Sequence, residues 1–66
     1  MDSTVKIFHM MRLQSLEETL GKKKKIYNLI KHTDDSLVAE LHEEIEHLET
    51  EVSAAKELLK ENGVRL

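Results

Sequence analysis

The stretch that decides the fold is KKKKIYNLIKHTDDSLVAELHEEIE, residues 22–46, which begins with four lysines and ends among glutamates. If the chain folds back at Asp34, residues equidistant from that point face one another. A basic run then faces an acidic run, and apolar side chains face apolar side chains. This mirror symmetry predicts an all-α fold, an antiparallel two-helix hairpin similar to a coiled coil. The predicted electrostatic pairs are Lys22 with Glu46, Lys24 with Glu44 and Lys25 with Glu43.

Segment 31–36 carries both a stop signal and a start signal for helices. Lys31 and His32 suit a helix C-terminus, where cations complement the helix dipole, and Thr33 or Asp34 suits an N-cap. The alternative is one uninterrupted long helix that forms a two-stranded coiled coil, which a four-residue stutter would accommodate. We predict a single helical module over residues 1–66, with helix 1 at about 4–31, a turn at about 32–35 and helix 2 at about 36–62.

Apolar residues in the second half recur at alternating spacings of three and four, which is typical of the a and d positions of a heptad repeat. The first half is less regular: Lys23 takes a seam position. Ile7, Met10 and Met11 extend the apolar face toward the N-terminus, although their spacing drifts out of phase with the seam. Gly63 follows helix 2 and suits the left-handed position after a helix. The predicted assembly seam comprises Leu13, Leu16, Leu20, Tyr27, Ile30, Val38, Leu41, Ile45, Leu48, Val52, Ala55 and Leu59.

Several apolar residues lie off this seam and would remain in water in a lone hairpin. A chain of 66 residues buries too little surface to be comfortably stable alone. We therefore predict that the hairpin dimerises into a four-helix bundle, or docks on another protein, and we rank self-association first. The predicted residues for this partner or higher-order contact are Ile26, Leu29, Leu37 and Leu58.

Composition narrows the class of protein. The chain has no cysteine, so it forms no disulfide and no thiolate metal site, and its 35% of charged residues is typical of long helices. No apolar run approaches the ~20 residues of a membrane span, and Lys6, His9 and Arg12 interrupt any signal-peptide core. We predict no membrane span and an intracellular location, cytoplasmic or nuclear, rather than secretion.

The pair His42 and His47 suggests a metal site, but the spacing does not support one. The zinc-protease motif needs histidines four residues apart on one helical face, and these are five apart. Glu44 and His47 form a Glu-x-x-His pair, yet di-iron bundles need two such pairs and two more glutamates. Since the chain also lacks a Gly-rich phosphate loop and a nucleophile constellation, we predict no enzyme activity, no metal and no cofactor.

The lysine run Lys22–Lys25 admits a second function. Residues 1–33 hold seven basic and three acidic side chains, whereas residues 34–62 hold two basic and ten acidic ones. A small nucleic-acid-associated regulator is one alternative, although the run lacks arginine and interleaved aromatic residues. The dimerisation fragment of a longer coiled-coil protein is another. The function that we predict in preference to these alternatives is a protein–protein interaction and oligomerisation module, which homodimerises and presents a surface to a partner protein.

Overall fold

Two helices form an antiparallel hairpin in the computed structural model, which describes residues 2–33 and 36–66. Helix α1 spans Ser3–Ile30 and helix α2 spans Ser36–Glu61. The particle is 47 Å long and 14–15 Å across in the other two directions. The prediction of an all-α hairpin is confirmed, and the alternative of one uninterrupted helix is wrong. Asp34, the predicted folding point, lies outside the described residues.

The N-terminus of α1 is capped by Asp2, a role that was not predicted from the sequence. Its Oδ1 accepts hydrogen bonds from the backbone N–H of Thr4 at 2.7 Å and of Val5 at 3.4 Å. These bonds satisfy donors that have no partner inside the helix. From there α1 runs without interruption through Gly21, because the residues around that glycine form helices readily.

Thr33 closes the C-terminus of α1. Its backbone N–H and its hydroxyl both donate to the carbonyl of Ile30, at 2.9 Å and 2.7 Å. The hydroxyl therefore serves the end of α1, whereas the sequence suggested Thr33 or Asp34 as the N-cap of α2. The second of these residues lies outside the described chain.

Helix α2 ends in a Schellman motif built around Gly63, which has a φ of 82°. The N–H of Val64 donates to the carbonyl of Leu59 at 3.0 Å, and the N–H of Gly63 donates to that of Lys60 at 3.1 Å. Only glycine adopts this left-handed conformation at little cost, so the prediction for this position is confirmed. Val64 also packs on the buried cluster that contains Leu59, as the motif's hydrophobic contact requires.

The core lies toward the open end of the hairpin, where the two chain termini meet. Its buried members come from both helices, and Leu59 is the one large side chain that is fully buried among the described residues. Partly buried Leu16, Leu20 and Val64 pack around it. Leu41 and Ile45 form a second buried stretch nearer the turn. The buried cluster of the open end comprises Leu13, Val52, Ala55 and Leu59.

Candidate interaction surface

None of the twelve predicted seam residues is exposed, and they divide into a buried group and a half-buried group. Their common feature is the alternating three-and-four spacing, which keeps them on one face of each helix. The six buried ones are Leu13, Leu41, Ile45, Val52, Ala55 and Leu59. The six half-buried ones are Leu16, Leu20, Tyr27, Ile30, Val38 and Leu48.

The seam of α1 continues to the N-terminus through polar residues. Lys6 and His9 are half-buried and keep the spacing that leads to Leu13. Ile7 and Met10 lie on other faces and are exposed, as is Met11, so the expectation that these three extend the apolar face is wrong. Each residue of a helix is rotated by a fixed angle from the one before it. The spacing from Leu13 therefore decides which residues lie on the seam, whatever the polarity of their neighbours.

One flank of the seam carries ion pairs between the helices. Lys24 Nζ lies 3.8 Å from Glu49 Oε1, and Lys56 Nζ lies 3.7 Å from Glu17 Oε1. Each of these four residues immediately follows a seam residue, so all four lie on the same side of the hairpin. We call Glu17, Lys24, Glu49 and Lys56 the ion-paired flank. Its side chains are about half exposed, so each pair contributes little to stability.

The predicted electrostatic partners differ from those observed. Glu44 accepts from Lys23 at 2.5 Å rather than from Lys24, and Glu46 lies 3.5 Å from His42 in its own helix. Within the described residues, no ion pair involves Lys22, Lys25 or Glu43. Pairing residues that are equidistant from Asp34 matches their positions along the helices but ignores where each side chain lies around its helix. Lys25 and Glu43, for example, lie on the faces that point away from the seam.

The opposite flank consists of residues that immediately precede a seam residue, and it is apolar at both ends. We call it the apolar flank. At the turn end it presents Ile26, Leu29 and Leu37, all exposed, with Leu29 83% accessible. We call these three the turn-end patch.

The other end of the apolar flank also presents large apolar side chains. Phe8 is 64% accessible, Val5 is exposed and Leu58 is half-buried. We call Val5, Phe8 and Leu58 the open-end patch. Of these three, only Leu58 was predicted as a contact residue, although Val5 and Phe8 also lie one residue before the seam. Phe8 and Leu29 are separated by about 31 Å along α1, at 1.5 Å per residue.

Charged residues of opposite sign separate the two patches. On α1 the flank carries the cations Arg12 and Lys22, and on α2 it carries the acids Glu40, Glu44 and Glu51. Lys23 reaches Glu44 from within the seam, which shows that these parts of both helices lie on one side of the hairpin. The apolar flank is therefore basic along one helix and acidic along the other, between two apolar ends.

Two of the four histidines, His42 and His47, make contacts within the hairpin. His47 Nε2 lies 2.9 Å from Glu51 Oε1, one helical turn away, and the rings of His42 and Tyr27 are 6.0 Å apart. In the described parts of the chain, no group of three His, Asp or Glu side chains is arranged to hold a metal ion. Neither described helix has a stretch apolar enough to cross a bilayer.

The concave surfaces of the hairpin are open grooves: one is lined by polar and charged side chains such as Glu46 and Glu49, and another by a mixture that includes Met10, Leu13 and Glu17. No family model, curated protein or solved structure matches this chain. The exposed apolar residues thus define the candidate site, and they fit an interface with a partner protein better than a small-molecule pocket.

Proposed function

We propose that the protein is an oligomerisation module whose hairpin homodimerises through the apolar flank to form a four-helix bundle. The observation that carries the proposal is the alignment of two apolar patches, one at each end of the same flank. Scattered apolar residues are normal on a protein surface, but Phe8 and Leu29 expose most of their area on one side of a very small chain.

The size of the flank supports this proposal. The hairpin is 47 Å long and about 15 Å wide, so one of its sides covers about 700 Å², which sets the largest area that the flank can offer. A standard protein–protein interface buries about 800 Å² on each partner. The whole hairpin exposes only 5075 Å², so covering one face would remove a large share of its accessible surface. A chain this small gains stability from such burial that its own core cannot supply.

The contacts of the lysine run count against the nucleic-acid alternative. Lys23 and Lys24 lie next to Glu44 and Glu49, so part of their charge is already neutralised within the hairpin. Affinity for a nucleic acid backbone grows with the number of phosphates that are neutralised, and acidic α2 would repel those phosphates. Binding to a second protein chain is therefore the better-supported function.

The test is the solution mass of the protein by light scattering over a range of concentrations, with circular dichroism on the same samples. The chain has a mass of 7.7 kDa, so we expect a species of twice that mass. The double variant Phe8→Glu/Leu29→Glu should no longer dimerise, since the new carboxylates would be buried in the interface. Its helicity should be kept under conditions in which the folded monomer is stable.

The matched control is Ile7→Glu/Met10→Glu, which also replaces two exposed apolar residues of α1 by glutamate but lies off the apolar flank. We expect this control to dimerise as the original protein does. A wild-type protein that stays monomeric at high concentration would refute homodimerisation and direct the search to a foreign partner. Equal dissociation of both double variants would refute the apolar flank as the interface.

A further inference from the structure

We propose that the two hairpins of the dimer lie with their turns at the same end, so that α1 of each protomer packs on α2 of the other. This inference rests on the proposed homodimer and specifies its geometry. A flank can face its own copy in two symmetric ways. If the two-fold axis runs along the hairpin, the turns share one end; if it crosses the hairpin, the turns lie at opposite ends and each helix packs on its own copy.

Charge favours the arrangement with the turns together. In that arrangement the cations of one protomer, Arg12 and Lys22, lie over the helix of its partner that carries Glu44 and Glu51. The contact between Lys23 and Glu44 within each hairpin shows that Lys22 and Glu44 lie at nearly the same level along the long axis. Each half of the interface then joins a basic stretch to an acidic one, and complementary charges suppress the wrong orientation.

The arrangement with the turns apart brings like charges together. Arg12 and Lys22 lie on either side of the midpoint of α1, which spans Ser3–Ile30. An axis through the middle of the hairpin would therefore place Arg12 opposite Lys22 of the partner subunit. It would also bring Glu51 near its own copy, because that residue lies close to the same midpoint level on α2.

The apolar patches agree with the same choice. With the turns together, the turn-end patch packs on its own copy, Leu29 over Leu37 of the partner subunit, and Phe8 meets Leu58 of the partner subunit. With the turns apart, Phe8 would still meet Ile26 of the partner subunit. Leu58, however, would lie against the acidic stretch around Glu44 of the partner subunit, where an apolar side chain would desolvate a carboxylate.

A spin-label distance separates the two arrangements. The chain has no cysteine, so His32→Cys, at an exposed position of the turn, introduces a single labelling site. We expect an intermolecular distance comparable with the 14–15 Å widths of the hairpin. A distance near the 47 Å length would overturn the arrangement and leave homodimerisation intact. A labelled protein that is monomeric by light scattering would refute the homodimer itself.

Charge reversal tests the same geometry by affinity. The variant Arg12→Glu/Lys22→Glu should weaken the dimer by about tenfold or more at low salt, because it replaces attraction by repulsion across the interface. The matched control Lys25→Glu/Lys60→Glu makes the same change in net charge at exposed helical positions that do not precede a seam residue, and it should dimerise as before. With the turns apart, one like-charged contact would replace another, so unchanged affinity of the first variant would overturn the proposal.

Discussion

Helices α1 and α2 contain nearly the same share of apolar residues and use them differently. Twelve of the 28 residues of α1 are apolar, as are eleven of the 26 residues of α2. Yet α2 buries five residues in the hairpin and α1 buries only Leu13. Seven of the nine large exposed apolar residues belong to α1. The hairpin therefore buries the single apolar stripe of α2 and leaves most of the large apolar side chains of α1 exposed, four of them on the apolar flank.

The largest effect should come from Leu59, the fully buried residue of α2. Leu59→Ala removes its packing and leaves a cavity, at a cost of ~2–5 kcal/mol in the free energy of unfolding. A domain of this size has little more stability than that, so we expect most of the helicity to be lost. Circular dichroism during urea titration measures the change. Glu57→Ala, exposed on the same helix, is the control, and an equally stable Leu59→Ala would contradict the position of the core.

Replacing glycine by alanine should have effects of opposite sign at the two glycines. Just after α2, Gly63→Ala forces a left-handed backbone on a residue with a Cβ, since φ is 82° at this position. We expect a loss of roughly 1–2 kcal/mol in unfolding free energy. Gly63→Asn should lose less, because asparagine tolerates this conformation better. Equal stability of the alanine variant and the original protein would argue against the Schellman motif.

In α1, Gly21→Ala should raise the stability. The glycine lies inside a continuous helix, and an added Cβ would meet nothing within 4 Å. Alanine has less conformational freedom to lose on folding, which is worth about 0.5–1 kcal/mol. Thermal unfolding at a fixed protein concentration measures the gain. A lower midpoint would mean that α1 is not a regular helix at this position.

The smallest effect should come from the ion-paired flank. Reversing one charge, by Glu17→Lys or Lys56→Glu, should lower the free energy of unfolding by ~0.2–1 kcal/mol, since both side chains are about half exposed. The double variant Glu17→Lys/Lys56→Glu should recover most of that loss. Losses that simply add in the double variant would show that the two side chains do not interact.

Much of the fold could be predicted from local signals. The three-and-four spacing in α2 marked its buried residues because every a and d position there is apolar, and Gly63 marked the helix end because few residues adopt its conformation. The course of α1 before Leu13 was misjudged because Ile7 is more apolar than Lys6. The phase of the helix nevertheless places the lysine on the seam.

For the candidate site, the exposure of Ile26, Leu29 and Leu37 could be predicted from their position off the seam, and their role in a contact stays a prediction. The partners of individual charges could not be predicted. Which lysine reaches which glutamate depends on the shift of the two helices along their axes and on the rotation of each helix about its own axis. Pairing residues by their distance from one residue of the turn does not include that rotation. The orientation that we propose for one hairpin on another rests in addition on the order of charges along a whole face.

The ion-paired flank, although weak, has a consequence for how the helices slide past each other. Its two pairs carry opposite charge order: acid on α1 with base on α2, then base on α1 with acid on α2. If one helix shifted by one heptad along the other, Glu17 would lie opposite Glu49. A shift of one heptad in the other direction would place Lys24 opposite Lys56. The repeating apolar seam would tolerate either slip, so these charges distinguish the native alignment from its nearest competitors.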